Sequence, residues 1–160
     1  MFLWFAGPSV LIVWKVFQSP ALDYRFVVLG SVLPVAEVVF GGPRVLHTLL
    51  GSVVALVVVM LATRNRRLLR RKILGVPIGL FMHLVLDGVW ADTHVFWWPA
   101  FGGSFGPAPM PELDRGLWFL PMEVVGAVAL AYAWRRFGLA DARRRQVFLR
   151  TGRIDRDLVP

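Results

Sequence analysis

The chain of 160 residues contains no cysteine. That excludes disulfides, thiolate metal sites and a cysteine nucleophile, and it leaves the redox compartment unmarked. Acidic residues are few: 10 Asp and Glu stand against 18 Lys and Arg, for a formal net charge of +8. Internal repeats and low-complexity tracts are absent. The apolar N-terminal stretch has no basic n-region before it and no small-x-small cleavage site after it, so it does not read as a signal peptide.

What the chain does have is apolar residues. They make up 57% of it, and the mean hydropathy is +0.63, too apolar for a soluble domain of this length. In lipid every backbone polar group must be satisfied within its own segment, so long apolar runs with few charges read as transmembrane helices. Five such segments can be drawn, at residues 1–17, 26–40, 45–63, 73–90 and 117–134. They predict an all-α fold, a polytopic transmembrane helix bundle of about five helices, or four if the first does not span. The bundle covers residues 1–137 and includes an outer loop at 91–116; residues 138–160 form a basic cytoplasmic tail.

The positive charge does not point to nucleic acid. It falls mainly in two blocks that abut apolar runs, at 64–72 and from Arg135 onward. Juxtamembrane clusters of this kind set topology and touch anionic lipid, so the bilayer, with anionic lipid at 64–72 and at the tail, is the expected partner. With the N-terminus outside, all 18 Lys and Arg except Arg44 and Arg115 lie on the inner side. Lys15, inside the first segment, can snorkel to the interface. An even number of spans that began outside would strand a basic block there. The expected location is therefore a membrane crossed several times, with the C-terminus in the cytoplasm and the N-terminus outside. Association into a homo-oligomer stays open.

The seven Trp agree with this layout. Trp4, Trp90, Trp97, Trp98 and Trp118 fall at the outer interface, and Trp14 and Trp134 at the inner one, where indole N–H groups stay wet. The outer loop, with Gly102, Gly103, Gly106, Pro107, Pro109 and Pro111, reads as irregular, with a surface-dipping part at 95–101. Val147, Phe148, Leu149 and Ile154 interrupt the arginines of the tail and suggest a short helix on the inner leaflet.

Ionisable groups inside membrane segments are costly and tend to mark function. Glu37, His47, His83, Asp87 and Glu123 all fall in or at the start of apolar segments. Alternating orientation brings all five to a similar depth in the outer half of the bilayer. His83 and Asp87 are four apart and project from one helix face. Imidazole nitrogen and carboxylate oxygen suit zinc, or manganese where oxygen ligands are more numerous. A divalent metal held by Glu37, His47, His83 and Asp87 would activate water near neutral pH, with Glu123 or Glu37 as general base. The same residues admit a plainer reading. A His-x-x-x-Asp pair is also a buried hydrogen-bonded couple that joins helices, and Glu123 can pair with Arg44 or Arg115. His94 reads as a wet loop residue.

Three stretches carry a family resemblance. Residues 30–37, Gly-Ser-Val-Leu-Pro-Val-Ala-Glu, resemble a Gly-x-x-x-Pro-Asp-x-Asp stretch. Leu46-His47-Thr48-Leu49 resembles a Thr-His-Ser-Leu segment. Residues 79–87, ending His83-x-x-x-Asp87, resemble a Gly-x-x-x-His-x-x-x-Asp helix, and Trp98-Pro99 follows as that block's end. Together, over residues 30–99, they resemble the YdjM-like family of small bacterial inner-membrane proteins described as metal-dependent hydrolases. The resemblance implies metal-binding roles for His47, His83, Asp87 and Glu37. Val35 replaces the family's first acidic residue, and the 41–44 stretch, Gly-Gly-Pro-Arg, lacks its further histidine. The expected function is thus a membrane metal-dependent hydrolase acting on a lipid-like ester or phosphoester. The alternatives are a non-catalytic scaffold or partner subunit built on a His/Asp/Glu network, and a proton- or cation-handling site.

Overall fold

Each apolar segment of the sequence contains a helix, and most are cut short by a local signal. In a computed structural model that describes residues 1–103, 105, 115–155 and 157, every regular element among those residues is helical. Gly106, Pro107, Pro109 and Pro111 of the outer loop and Arg156 of the tail lie outside the described residues. Helix α1 spans Leu3–Phe17 and stops where Gln18 turns left-handed, at φ 46°. Helix α2, Tyr24–Val32, starts at Asp23, whose carboxylate accepts from the Arg25 amide. It passes directly into a 3₁₀ stretch, Leu33–Phe40. A second 3₁₀ turn, Val45–His47, leads to α3, Leu49–Ala62, where the Thr48 hydroxyl accepts from the Gly51 amide. Short α4, Arg67–Ile73, leads to α5, Gly75–Asp87, which Gly88 ends at φ 75°. Left-handed φ suits glycine, and it stops a helix there. One-turn α6, Thr93–Phe96, follows, capped by Asp92. Helix α7 covers Phe119–Arg136 and α8 covers Ala142–Thr151.

Two helix pairs form the frame: α2 lies on α5, and α1 lies on α7. Contacts of α1 with α2 and of α3 with α5 join them. Both main pairs meet through glycine. A side chain on Gly79 would run into the Val27 carbonyl and the Ser31 amide, and one on Gly30 into the Val76 carbonyl. Gly126 sits as tightly against the Leu3 and Trp4 backbone. Small residues let backbones approach closely, as membrane helices do to gain dispersion contacts.

The contacts define two ends. At one, α1 and α7 finish while α2 and α5 begin. Here Trp14, Tyr24, Phe137 and Ile154 form part of the apolar core, with Trp14 and Phe137 edge to face at 5.7 Å. The basic residues gather around this end, where Arg136 lies over the Trp14 ring and Lys72 over Phe26. Helix α8 returns to it: the Tyr24 amide donates to the Gly152 carbonyl at 2.9 Å, and Arg25 Nη1 donates to the Leu149 carbonyl at 2.6 Å. The tail therefore contains the helix expected from its sequence, tied to the start of α2. Val147 and Leu149 stay exposed, while Ile154 is buried. At the other end α1 and α7 begin and α5 finishes, and Trp4 Nε1 donates to the Leu86 carbonyl at 3.2 Å.

Apolar surface is extensive. Only Gly51 and Ser52 of α3 are buried, while Val58 and Leu61 are 57% and 67% exposed. The stretch Gly116–Arg136, 21 residues, is the one described helix long and apolar enough to cross a membrane. Helices α1 and α3 are apolar but have 15 and 14 residues. The continuous runs predicted at 26–40, 45–63 and 73–90 are shortened by the 3₁₀ step at Leu33, the cap at Thr48 and the left-handed Gly88.

Candidate metal centre

Four of the five ionisable residues meet at the end where α5 finishes. His47, the last residue of its 3₁₀ turn, and His83, in the third turn of α5, are fully buried; Asp87 is 4% exposed and Glu37 6%. His47, His83 and Asp87 each present a ligand atom, and these atoms lie within 4.8 Å of one another.

The histidine tautomers follow from their partners. His47 Nδ1 lies 2.7 Å from Glu37 Oε2, and His83 Nδ1 lies 2.7 Å from the Ser31 carbonyl oxygen. Both of those oxygens can only accept, so each Nδ1 carries the proton. In neutral rings the lone pair is then on Nε2, and the two Nε2 atoms face each other at 3.3 Å. Two lone pairs do not attract; a proton or a metal ion between them joins the two rings. Ligand nitrogens of a tetrahedral zinc site stand about 3.3 Å apart, because each Zn–N bond is about 2.0–2.1 Å. The Asp87 carboxylate adds an anionic oxygen donor to the pair. The donor set and the spacing therefore fit a divalent metal.

The surrounding shell holds the rings in place. Glu37 accepts from His47, from the Arg44 amide at 2.7 Å and from the Leu46 amide at 2.9 Å, which locks the loop between the two 3₁₀ stretches. A carboxylate behind a ligating imidazole fixes its orientation and raises its basicity. Ser31's carbonyl is available to His83 partly because Pro34, three residues on, has no N–H to offer it. Phe5 of α1 covers the His83 ring at a centroid distance of 4.0 Å. Arg115 Nη2 donates to Asp87 Oδ1 at 2.9 Å and to the Asp87 carbonyl, which places a guanidinium on the acidic ligand.

Measured against the sequence expectations, His47, His83 and Asp87 come together. Glu37, expected among the ligands, stands behind His47 instead. Glu123, expected as a general base or as a partner of Arg44 or Arg115, accepts from the Leu3 amide at 3.2 Å and the Trp4 amide at 3.4 Å. There it caps the N-terminus of α1 and ties that helix to α7, as a carboxylate does at the positive end of a helix dipole. His94, expected in a loop, lies on the one-turn α6, where it is exposed and its Nδ1 stands 3.0 Å from the Phe101 carbonyl oxygen. Sequence reasoning missed Ser31, whose part is played by its backbone, and the pairing of Arg115 with Asp87. Phe5 carried no signal beyond its apolar character. No family model, curated protein or solved structure matches the chain.

Proposed function

We propose that the chain is a multi-pass protein of the bacterial plasma membrane which holds zinc or manganese between His47, His83 and Asp87 and hydrolyses a lipid-like ester or phosphoester. The observation that carries this reading is the pair of Nε2 atoms 3.3 Å apart, each ring held by an acceptor on its Nδ1. The resemblance to the YdjM-like family supports it on the same three residues. The membrane part draws on the exposed apolar faces of α3 and α7, the close glycine contacts and the gathering of basic residues at the opposite end from the site. In this reading the N-terminus and the site face outward, and the basic end and α8 face the cytoplasm and its anionic lipid.

A divalent metal held there supplies Lewis acidity to a carbonyl or phosphoryl oxygen. The protein's own groups prepare for it. Glu37 and Ser31 accept from the Nδ1 atoms and so turn both Nε2 atoms toward the site, Asp87 would offset positive charge, and Phe5 covers one face of His83. A fluorogenic phospholipid in manganese- or zinc-supplemented liposomes tests the reading: hydrolysis by the wild type should fall to the uncatalysed rate in His83→Ala. Equal rates for the two proteins would contradict it.

The second reading, a structural network in a scaffold or partner subunit, is favoured by one observation. Arg115 already neutralises Asp87, and Val35 offers no further donor. The two readings part on whether the purified protein contains metal.

A further inference from the structure

The last turn of α1, helix α3 and helix α5 frame a groove of about 390 Å³ whose wall is almost wholly apolar, with Val16, Val53, Leu56, Phe81 and Met82 among its residues. Phe17 and Ile78 also line a second cavity, of about 400 Å³, bounded by the α1–α2 turn and by Arg71 of α4. The neighbouring cavities thus offer an apolar groove and, beside it, a cationic site. The cationic site lies at the basic end, opposite the His/Asp centre. Arg71 is exposed and has no acidic partner among the described residues. Val16 is 68% exposed, Val53 46% and Phe81 43%, so the body of the groove is uncovered.

We infer that the two neighbouring cavities bind one anionic phospholipid, with an acyl chain along α3 and α5 and the headgroup phosphate at Arg71. Charge complementarity selects this occupant. A helix from a second copy could cover Phe81 and Val53, but would leave the guanidinium at the cationic site without an anion. A phosphodiester supplies that anion while its chain fills the apolar part. The inference rests on the membrane reading above and is independent of the metal.

Native mass spectrometry of the full chain, released from micelles containing equal phosphatidylglycerol and phosphatidylcholine, tests it. Wild type should retain one phosphatidylglycerol per chain. Arg71→Gln should lower that retention about fivefold and erase the headgroup preference, as loss of one basic contact at a lipid surface does. Val53→Trp, which fills the groove, should release lipid of either headgroup, with helix content unchanged by circular dichroism. Retention that neither substitution alters, equal retention of both lipids by wild type, or a dimer that Val53→Trp splits without releasing lipid would overturn the inference. Carbonate extraction of membranes separates the two levels. Protein that stays in the pellet yet carries no lipid overturns the groove alone, and protein that washes out overturns the membrane reading beneath it.

Discussion

Glu37 bears on the candidate centre through His47. Its carboxylate accepts from His47 Nδ1 and from two loop amides, so it sets both the tautomer of the ring and the path of the chain that carries it. Removing such a partner lowers metal affinity by about 10–100-fold in comparable sites. Glu37→Gln keeps the shape but weakens the acceptor, and should show a loss in that range when titrated with metal against a competing chelator; an unchanged affinity would detach Glu37 from the centre. At this scale the sequence was informative about which side chains converge and poor about what holds them. The four-residue spacing of His83 and Asp87 places both on one face of α5, and alternating segments bring His47 to the same depth. Depth says nothing about order along a line of contact, so Glu37 could be placed near the centre but not behind His47. Ser31 acts through a carbonyl, which no side-chain pattern reveals.

Among the elements, the α2–α5 pair positions the centre, because His83 reaches across it to the Ser31 carbonyl. The pair closes only because Gly79 and Gly30 have no side chains to hold it open. Gly79→Val should cost about 1–3 kcal/mol or more, as overpacking at a tight contact does, and should loosen metal binding by parting His83 from Ser31. Thermal melting in detergent checks this, with Gly103→Val as a neutral control, since among the described residues nothing lies within 4 Å of a Cβ placed there. Helix identity was legible from the apolar runs, whereas helix length was not. Pro34 marks the change to 3₁₀ geometry and Gly88 the end of α5, yet both sit inside runs whose hydropathy continues past them. Hydropathy averages over such local breaks, while backbone hydrogen bonding does not.

For the whole molecule, the division of charge is the organising feature. Basic residues surround the end where α2 and α5 begin, and the His/Asp centre occupies the other. The Lys and Arg count anticipated this split because it depends on the order of segments and not on where each one stops. The absence of native cysteine makes orientation directly measurable. A cysteine at Gly103 should react with an impermeant maleimide in intact cells, and one at Asn65 only after permeabilisation; the reverse pattern would invert the topology. The claim on which the account turns is the metal. Elemental analysis of purified wild type, His83→Ala and Asp87→Ala tests it most directly. The account predicts near-stoichiometric zinc or manganese in wild type and its loss in both variants, whereas wild type that stays metal-free after reloading would contradict it and leave a structural network in its place.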